Sequence, residues 1–261
     1  MLFSTILKTK RYGVNIMKDV LKNFRLETTS VWSFPDRGSW ATHYGDYPGN
    51  WSPYVPRNLI LKYTDENEWI LDQFMGSGTT LIEAKLLNRN IIGTDINPKA
   101  YNITKERLSF DCKSRSHIHI RINDAQDLSF IKDNSIALVC THPPYADIIR
   151  YSENIKNDLS LLPHDLYLKA MAKVAREAYR VLKNNRICAI MVADIRKNWV
   201  FTPLGHQVAD VFLNTGFTLK DIIIKEQHNC KSLVEWAKRE HECYLIKHEY
   251  IFIFQKRKKM I

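Results

Sequence analysis

Two groups of residues in this 261-residue chain are of types and spacings that could do chemistry. The first is Asp72-Gln-Phe-Met-Gly76-Ser77-Gly78-Thr79-Thr80, set between the apolar run Trp69-Ile-Leu and the amphipathic stretch Leu81-Ile-Glu-Ala-Lys-Leu-Leu. Glycines there let the backbone turn sharply and approach a ligand, and the helix that follows offers N–H groups with no partner of their own. Asp95 closes the next apolar run, 19 residues after Gly76, where a doubly wound sheet sets a carboxylate against ribose hydroxyls. The phosphate-loop pattern GxxxxGK[ST] and the full GxGxxG of dinucleotide sites are both missing. The series therefore points to a single nucleoside-bearing cofactor, with a plain structural turn as the alternative for the glycines taken alone. Asp124, in Asn-Asp-Ala-Gln-Asp-Leu, could accept from an adenine amino group at the same sheet edge, or simply cap a loop.

The second group is Thr141-His142-Pro143-Pro144-Tyr145. Two prolines fix φ twice over and remove two N–H donors, so a strand ends there in a rigid shape while its carbonyls remain free to accept. A polar side chain, a fixed carbonyl and an aromatic ring together suit a planar base that carries an amino group. A strand-ending turn is the simpler reading of any Pro-Pro pair.

Such groups need a scaffold, and the hydrophobic pattern supplies one. Trp69–Phe74, Asn90–Ile96, Ile118–Asp124, Ser135–Thr141 and Arg186–Asp194 read as strands. They alternate with helical stretches after Thr80, over Asn97–Phe110 and over roughly Asp165–Leu182. Asn97 followed by Pro98 is a cap residue with proline at the first helical position. Pro203–Asn214 is expected to be helical, and Thr218–Gln227 and Tyr244–Gln255 to be strands. Alternating strands and helices with continuous apolar strands predict an α/β domain on a mostly parallel sheet, its last two strands an antiparallel pair at one edge.

Phe-Met-Gly-Ser-Gly-Thr-Thr, then Gly-Thr-Asp-Ile-Asn-Pro, Asn-Asp-Ala-Gln-Asp-Leu and Thr-His-Pro-Pro-Tyr together resemble the S-adenosylmethionine-dependent DNA amino-methyltransferases, which act on cytosine N4 or adenine N6. The resemblance runs from about Pro53 to Gln255, and the segment Pro48–Thr64 is similar to a second cofactor-flanking motif of that family. It implies a Rossmann-like, seven-stranded methyltransferase sheet with an antiparallel last strand pair. It also implies that Asp72, Phe74, Gly76, Ser77, Gly78 and Thr79 hold S-adenosylmethionine, Asp95 its ribose and Asp124 its adenine. His142, Pro143, Pro144 and Tyr145 would receive the target base, flipped out of double-stranded DNA. Two residues depart from the pattern. Gln73 stands where Pro is usual, a change expected only to loosen a turn. His142 replaces the usual Asp, Asn or Ser, which removes the simplest guide to base choice; Thr-x-Pro-Pro-Tyr is nearer the cytosine-N4 branch than the adenine branch. If neutral His142 accepts a hydrogen of the amino group, activity should fall below about pH 6.5, the ordinary histidine value. A cytosine-C5 mechanism needs a cysteine nucleophile, and Cys140 lies before the Pro-Pro pair on an apolar strand that reads as core.

Two readings compete with a site-specific DNA methyltransferase of a restriction-modification or phage system. One is an RNA base methyltransferase; the other is a non-catalytic subunit that binds DNA or cofactor. Charge favours a polyanion partner. The 38 basic and 28 acidic residues give +10, distributed as +4 over residues 1–60, −1 over 61–150 and +7 over 151–261. Basic ends thus flank a near-neutral cofactor segment. The expected organisation is a basic extension and cofactor-flanking loop over residues 1–52, a catalytic domain over 53–257 and a basic tail over 258–261. Residues 228–243 form a candidate DNA-recognition insertion. With little chain to spare for recognition (residues 1–50, about 146–165 and 228–243), the target is short or a partner subunit or second copy supplies part of it. Met17 is an alternative start, which would leave residues 1–16 as a leader.

Five scattered cysteines argue against a disulfide framework and for a reducing, cytoplasmic setting. No apolar run is long enough for a membrane span. His228-x-Cys230 and His241-x-Cys243 form two matched pairs that could hold zinc; their one-residue spacing is unusual for it, and no metal is expected. Asp194-x-Arg196-Lys197 would border the base site, contact phosphate or form a loop-shaping ion pair, and Gln255-Lys-Arg-Lys-Lys reads as a solvated tail, with non-specific phosphate contact as the alternative.

Overall fold

Strands that are apolar on both faces need helices on both sides of the sheet, and the chain folds to provide them. The structure, a computed structural model, describes residues 24–228 and 242–258. Its strands are β1 (Val31–Trp32), β2 (Trp69–Asp72), β3 (Asn90–Asp95), β4 (Ile118–Ile122), β5 (Ile136–Thr141), β6 (Leu182–Val192), β7 (Ile195–Lys197), β8 (Val200–Thr202), β9 (Thr218–Glu226) and β10 (His248–Gln255). The α-helices are α1 (Tyr54–Tyr63), α2 (Thr79–Leu86), α3 (Pro98–Arg107), α4 (His164–Val181) and α5 (Leu204–Thr215). Across the main sheet the order is β1-β9-β10-β6-β5-β2-β3-β4. Neighbours run parallel except β10, which is antiparallel to both β6 and β9.

Alternation along the central strands sends successive side chains to opposite layers. Leu71, Val139, Ile190 and Phe252 pack with Met171 and Val174 of α4 and Phe212 of α5. Ile70, Leu138, Met191 and Ile251 pack with Leu59 of α1 and Leu81 of α2. Asn97 caps α3 by accepting from the Lys99 N–H at 2.9 Å, with Pro98 at its first position. Gly216, at φ 111°, ends α5 in the left-handed conformation that glycine adopts without strain.

The chain leaves β2 toward β3 and β4 on one side, then returns to place β5 on the other side of β2. This reversal opens a crevice at the carboxyl ends of β2 and β5, where ligands bind in open α/β sheets. The Gly76 turn follows β2 and the His142 segment follows β5, so topology alone brings the two groups together.

The expected mostly parallel α/β sheet is the observed one, with differences in detail. The antiparallel strand is not confined to the edge: β10 inserts between β6 and β9, because its alternate residues are apolar toward both layers. The two residues of β1 add an eighth strand beside β9. β10 begins at His248 rather than Tyr244, and the β7–β8 hairpin and helix α1 had no sequence expectation of their own. Lys256 does not belong to a solvated tail. Its Nζ is folded back onto the Tyr179 and Leu182 carbonyls, each at 2.7 Å, a cation at the carboxyl end of α4. No helix among the described residues is long and apolar enough to cross a membrane.

Candidate active site

The cofactor-side turn is held open by its own side chains. Asp72, almost wholly buried, accepts from Thr80 Oγ1 at 2.6 Å, Thr141 Oγ1 at 2.8 Å and the Phe74 N–H at 3.1 Å. It lines the floor of the crevice with both oxygens already engaged, and it ties β2 to β5. Gly76 and Gly78 have φ of 49° and 84°. A β-carbon on Gly76 would lie 3.2 Å from the Tyr47 ring, so the close approach needs glycine. Gln73 tightens the turn where loosening was expected: its amide donates to the Ala125 carbonyl at 3.3 Å and reaches toward Val174 of α4 at 3.5 Å.

Asp95 accepts the Gly76 N–H on Oδ2 at 3.0 Å and the Asn97 N–H on Oδ1 at 2.9 Å. Each oxygen keeps a lone pair for a further donor. Burial pushes its carboxyl up to about 6, against the pull of those two N–H groups, and nearby Asp72 and Asp158 push the same way. Asp72 is likewise raised to about 6 by burial, against its three hydrogen bonds. Asp124 accepts from the Gln126 N–H at 2.9 Å and from Asn157 Nδ2 at 2.9 Å.

Two segments close over this turn. The chain on either side of residues 47–51 is pinned by Glu83 of α2. Its buried carboxylate receives Arg57 Nη1, His43 Nε2 and Trp40 Nε1, each at 2.7 Å. Burial alone would raise the Glu83 carboxyl; the hydrogen bonds from His43 and Trp40 and the Arg57 charge outweigh it and hold it below its ordinary value. Tyr47 then stacks with Tyr151 at 6.0 Å, joining the first segment to residues 151–159. Asn97 donates to the Tyr151 carbonyl, and Asp158 accepts from the Ser160 N–H, which fixes the second segment. The sequence treated 146–165 as chain available for recognition. In the structure Tyr151, Asn157, Asp158 and Leu159 of that stretch line the cleft. Only the Pro48–Thr64 motif hinted at this cover; residues 151–159 carried no signal.

On the other wall, His142 Nε2 lies 2.6 Å from the Tyr145 hydroxyl, and Trp51 stacks against the imidazole at 5.5 Å and 25°. Burial lowers the His142 pKa to about 4, partly offset by Glu249. No donor among the described residues reaches the Pro143 carbonyl. His142, Pro143 and Pro144 line the same cleft as Phe74, Gly76, Ser77, Thr79, Asp95 and Asp124. Gly78 stands behind the turn as the residue preceding α2. Tyr145 is set back from the lining, its ring packed on the core and its hydroxyl bonded to Glu249. Cys140 is fully buried in the sheet, its thiol pushed well above its ordinary value by burial.

The remaining candidates lie apart. Lys197 pairs with Asp147 at 2.5 Å, joining the β7–β8 hairpin to the segment after Tyr145, while Asp194 accepts from the Gly205 N–H and the Tyr250 hydroxyl. These contacts shape the loop. His228 lies 2.9 Å from Ser33 Oγ; Cys230 and His241 fall outside the described residues, as do Met17 and the candidate leader, while Cys243 is a free thiol.

The family model for DNA methylase matches residues 7–106 and 136–260. The chain belongs to that DNA methylase family. Its cofactor is accordingly S-adenosylmethionine, and the residues present fit it: Asp95 has acceptor capacity to spare for ribose hydroxyls, and the Asp72, Asp95 and Asp158 carboxyls suit a cationic sulfonium. A model for an RMKL-like methyltransferase domain also matches residues 60–197. Among curated proteins, the chain is similar to the Type II methyltransferase M2.LlaDCHI of Lactococcus lactis subsp. cremoris, at 34% identity over 99 residues, 38% of this chain and 36% of that one. It is also similar to a tRNA (guanine(10)-N2)-dimethyltransferase of Methanothermobacter thermautotrophicus, at 33% identity over 100 residues, 38% of this chain and 29% of that one. The matched part is thus about a third of the length of these relatives. A solved S-adenosylmethionine-dependent methyltransferase from Methanosarcina mazei shares the fold, with TM-score 0.55 at 14% identity over 77% of this chain and 98% of that one.

Proposed function

We propose that this member of the DNA methylase family transfers a methyl group to an exocyclic amino group of a base in DNA. The observation that carries the reading is the single cleft shared by the glycine turn, Asp95 and His142-Pro143-Pro144. S-adenosylmethionine supplies an electrophilic methyl group when bound. Gly76, Ser77 and Thr79 would hold its methionine end together with Phe74, Asp95 its ribose and Asp124 its adenine, while Asp72 and Gly78 keep the turn in shape. The chain's own part in the chemistry is to prepare a poor nucleophile. An aromatic amino group has its lone pair delocalised into the ring. Hydrogen bonds from that group to the Pro143 carbonyl and to neutral His142 favour a pyramidal nitrogen and aim its lone pair along the cleft. In-line placement of this kind can lower a barrier by several kcal/mol. Loops 47–51 and 151–159 exclude water.

A base stacked inside a duplex cannot bring its amino group to the floor of this cleft, so the target would be a flipped nucleotide. Thr-His-Pro-Pro-Tyr favours cytosine N4 over adenine N6, in a restriction-modification or phage setting, with a partner subunit or second copy supplying part of the sequence recognition. An RNA base is the second reading, favoured by the tRNA methyltransferase relative. Incubation with labelled S-adenosylmethionine and either duplex DNA or tRNA, then mass spectrometry of the nucleosides, decides. N4-methylcytosine in DNA is the expected product. Label in tRNA alone, or in neither, would reject the proposal.

A further inference from the structure

The target side of the cleft contains a chain of hydrogen bonds that the reaction as described leaves unused. The Tyr145 hydroxyl, 2.6 Å from His142 Nε2, also donates to Glu249 Oε1 at 2.9 Å. Lys225 Nζ donates to Glu249 Oε2 at 2.9 Å. Lys225 and Glu249 sit directly opposite each other in the antiparallel β9–β10 register, at the sheet edge where β5 ends. Both side chains are nearly buried.

The proton inventory of this chain has one solution. Burial would raise the Glu249 carboxyl, but the Lys225 charge and the hydrogen bonds it receives hold it below its ordinary value, so it is an anion that can only accept. Burial raises the Tyr145 phenol well above its ordinary value, so it keeps its proton. That single proton points to Glu249. Toward His142 the phenol then presents only lone pairs, and a 2.6 Å contact requires a donor on the other side. His142 Nε2 must carry the hydrogen, which leaves Nδ1 of the neutral ring as a bare acceptor. The stacked Trp51 fixes the ring plane.

We propose that Lys225, Glu249 and Tyr145 form a positioning relay that holds His142 in the Nε2–H tautomer, so that Nδ1 accepts one hydrogen of the target amino group. The proposal rests on the reading of the cleft as an amine-methylating site. A neutral imidazole can accept or donate at either nitrogen, and only a fixed tautomer makes Nδ1 a dependable acceptor. The residues that fix it lie on β9 and β10, far from the motif in sequence.

Long-range ¹H–¹⁵N correlation spectra of the full chain labelled with ¹⁵N-histidine test the relay without DNA or cofactor, with His142 assigned by the signals lost in His142→Gln. The wild type should show the Nε2–H tautomer. In Glu249→Gln the amide can donate to the phenol, which frees the phenolic proton for His142, so a mixture of tautomers is expected. On DNA, turnover should drop about tenfold with the KM for S-adenosylmethionine unchanged, the size of one misdirected hydrogen bond. An Nδ1–H tautomer in the wild type overturns the relay, and so does a Glu249→Gln protein with tautomer and turnover both unchanged. If Glu249→Gln does not fold, the wild-type spectrum still decides, and Lys225→Met provides the second variant with the same expected mixture. An Nε2–H wild type that methylates no DNA amine would instead reject the substrate reading and leave the tautomer assignment standing.

Discussion

At the cofactor end of the cleft, Asp95 is set by the N–H groups of Asn97, two residues on, and Gly76, 19 residues back. At the target end, Tyr145 meets its carboxylate partner 104 residues further along the chain. The first end is made of backbone turns and local hydrogen bonds, and it carries acids whose pKa values rise. The second is made of a side-chain relay from β9 and β10 to the segment after β5, and it carries a base whose pKa falls. On the reading proposed above, one end would receive a cation and the other would offer a neutral acceptor. The same cleft therefore answers acid and substitution differently at its two ends.

The largest expected effect concerns what covers the cofactor end. Glu83→Ala leaves the Arg57 charge buried without its partner, and the stability measured by urea unfolding should fall by about 3–5 kcal/mol. A loss under 1 kcal/mol would mean that Trp40, His43 and Arg57, on either side of residues 47–51, are held by something else. Next, Asp95→Ala should weaken S-adenosylmethionine by about 1.5–3 kcal/mol, roughly 10- to 100-fold in Kd by calorimetry, with duplex binding unchanged. Parallel losses of both ligands would erase the distinction between the two ends. Salt should separate them too. If three basic side chains meet phosphates, DNA affinity falls about 40-fold between about 50 and 200 mM salt, while cofactor affinity barely moves. Equal salt slopes would mean that the +7 of residues 151–261 is ordinary surface.

The finest test is the pH profile. Protonation removes an acceptor at both ends, but not together. Asp95, raised to about 6, loses its charge first, so kcat/KM for the cofactor should decline as pH falls through about 6. His142, lowered to about 4, stays neutral longer, so kcat at saturating cofactor should hold from pH 7 to about 5 and fall only near about 4. The structure thus moves the break that an unperturbed histidine would place near 6.5, because burial disfavours the imidazolium. A common break in both parameters would remove the contrast.

This division also explains what could be read in the sequence. The glycine turn, Asp95 and the Asn97-Pro98 helix start are local devices, and residue type with spacing suffices to find them. The Pro-Pro pair was equally visible, and the strand–helix alternation foretold the sheet. Gln73 looked like a loosened turn because its partners, Ala125 and Val174, are 52 and 101 residues away. Tyr151, Asn157 and Asp158 sit in a segment with no periodicity, and their place in the cleft comes from packing against Tyr47 and Asn97. Lys225 and Glu249 read as alternate polar residues of edge strands; only the insertion of β10 beside β6 brings them to His142. Where chemistry depends on which distant strands pair, composition and spacing give no sign of it.

The placement of β10 has a consequence for biosynthesis. A ribosome delivers Asp72 through Asp95 early, together with most of the strands that support them. The interior strand that carries Glu249 emerges after every other strand of the sheet, and β9 cannot join β6 without it. A nascent chain could assemble the cofactor crevice well before His142 acquires a fixed tautomer. On the reading proposed above, full turnover would then wait until that strand has slotted into place.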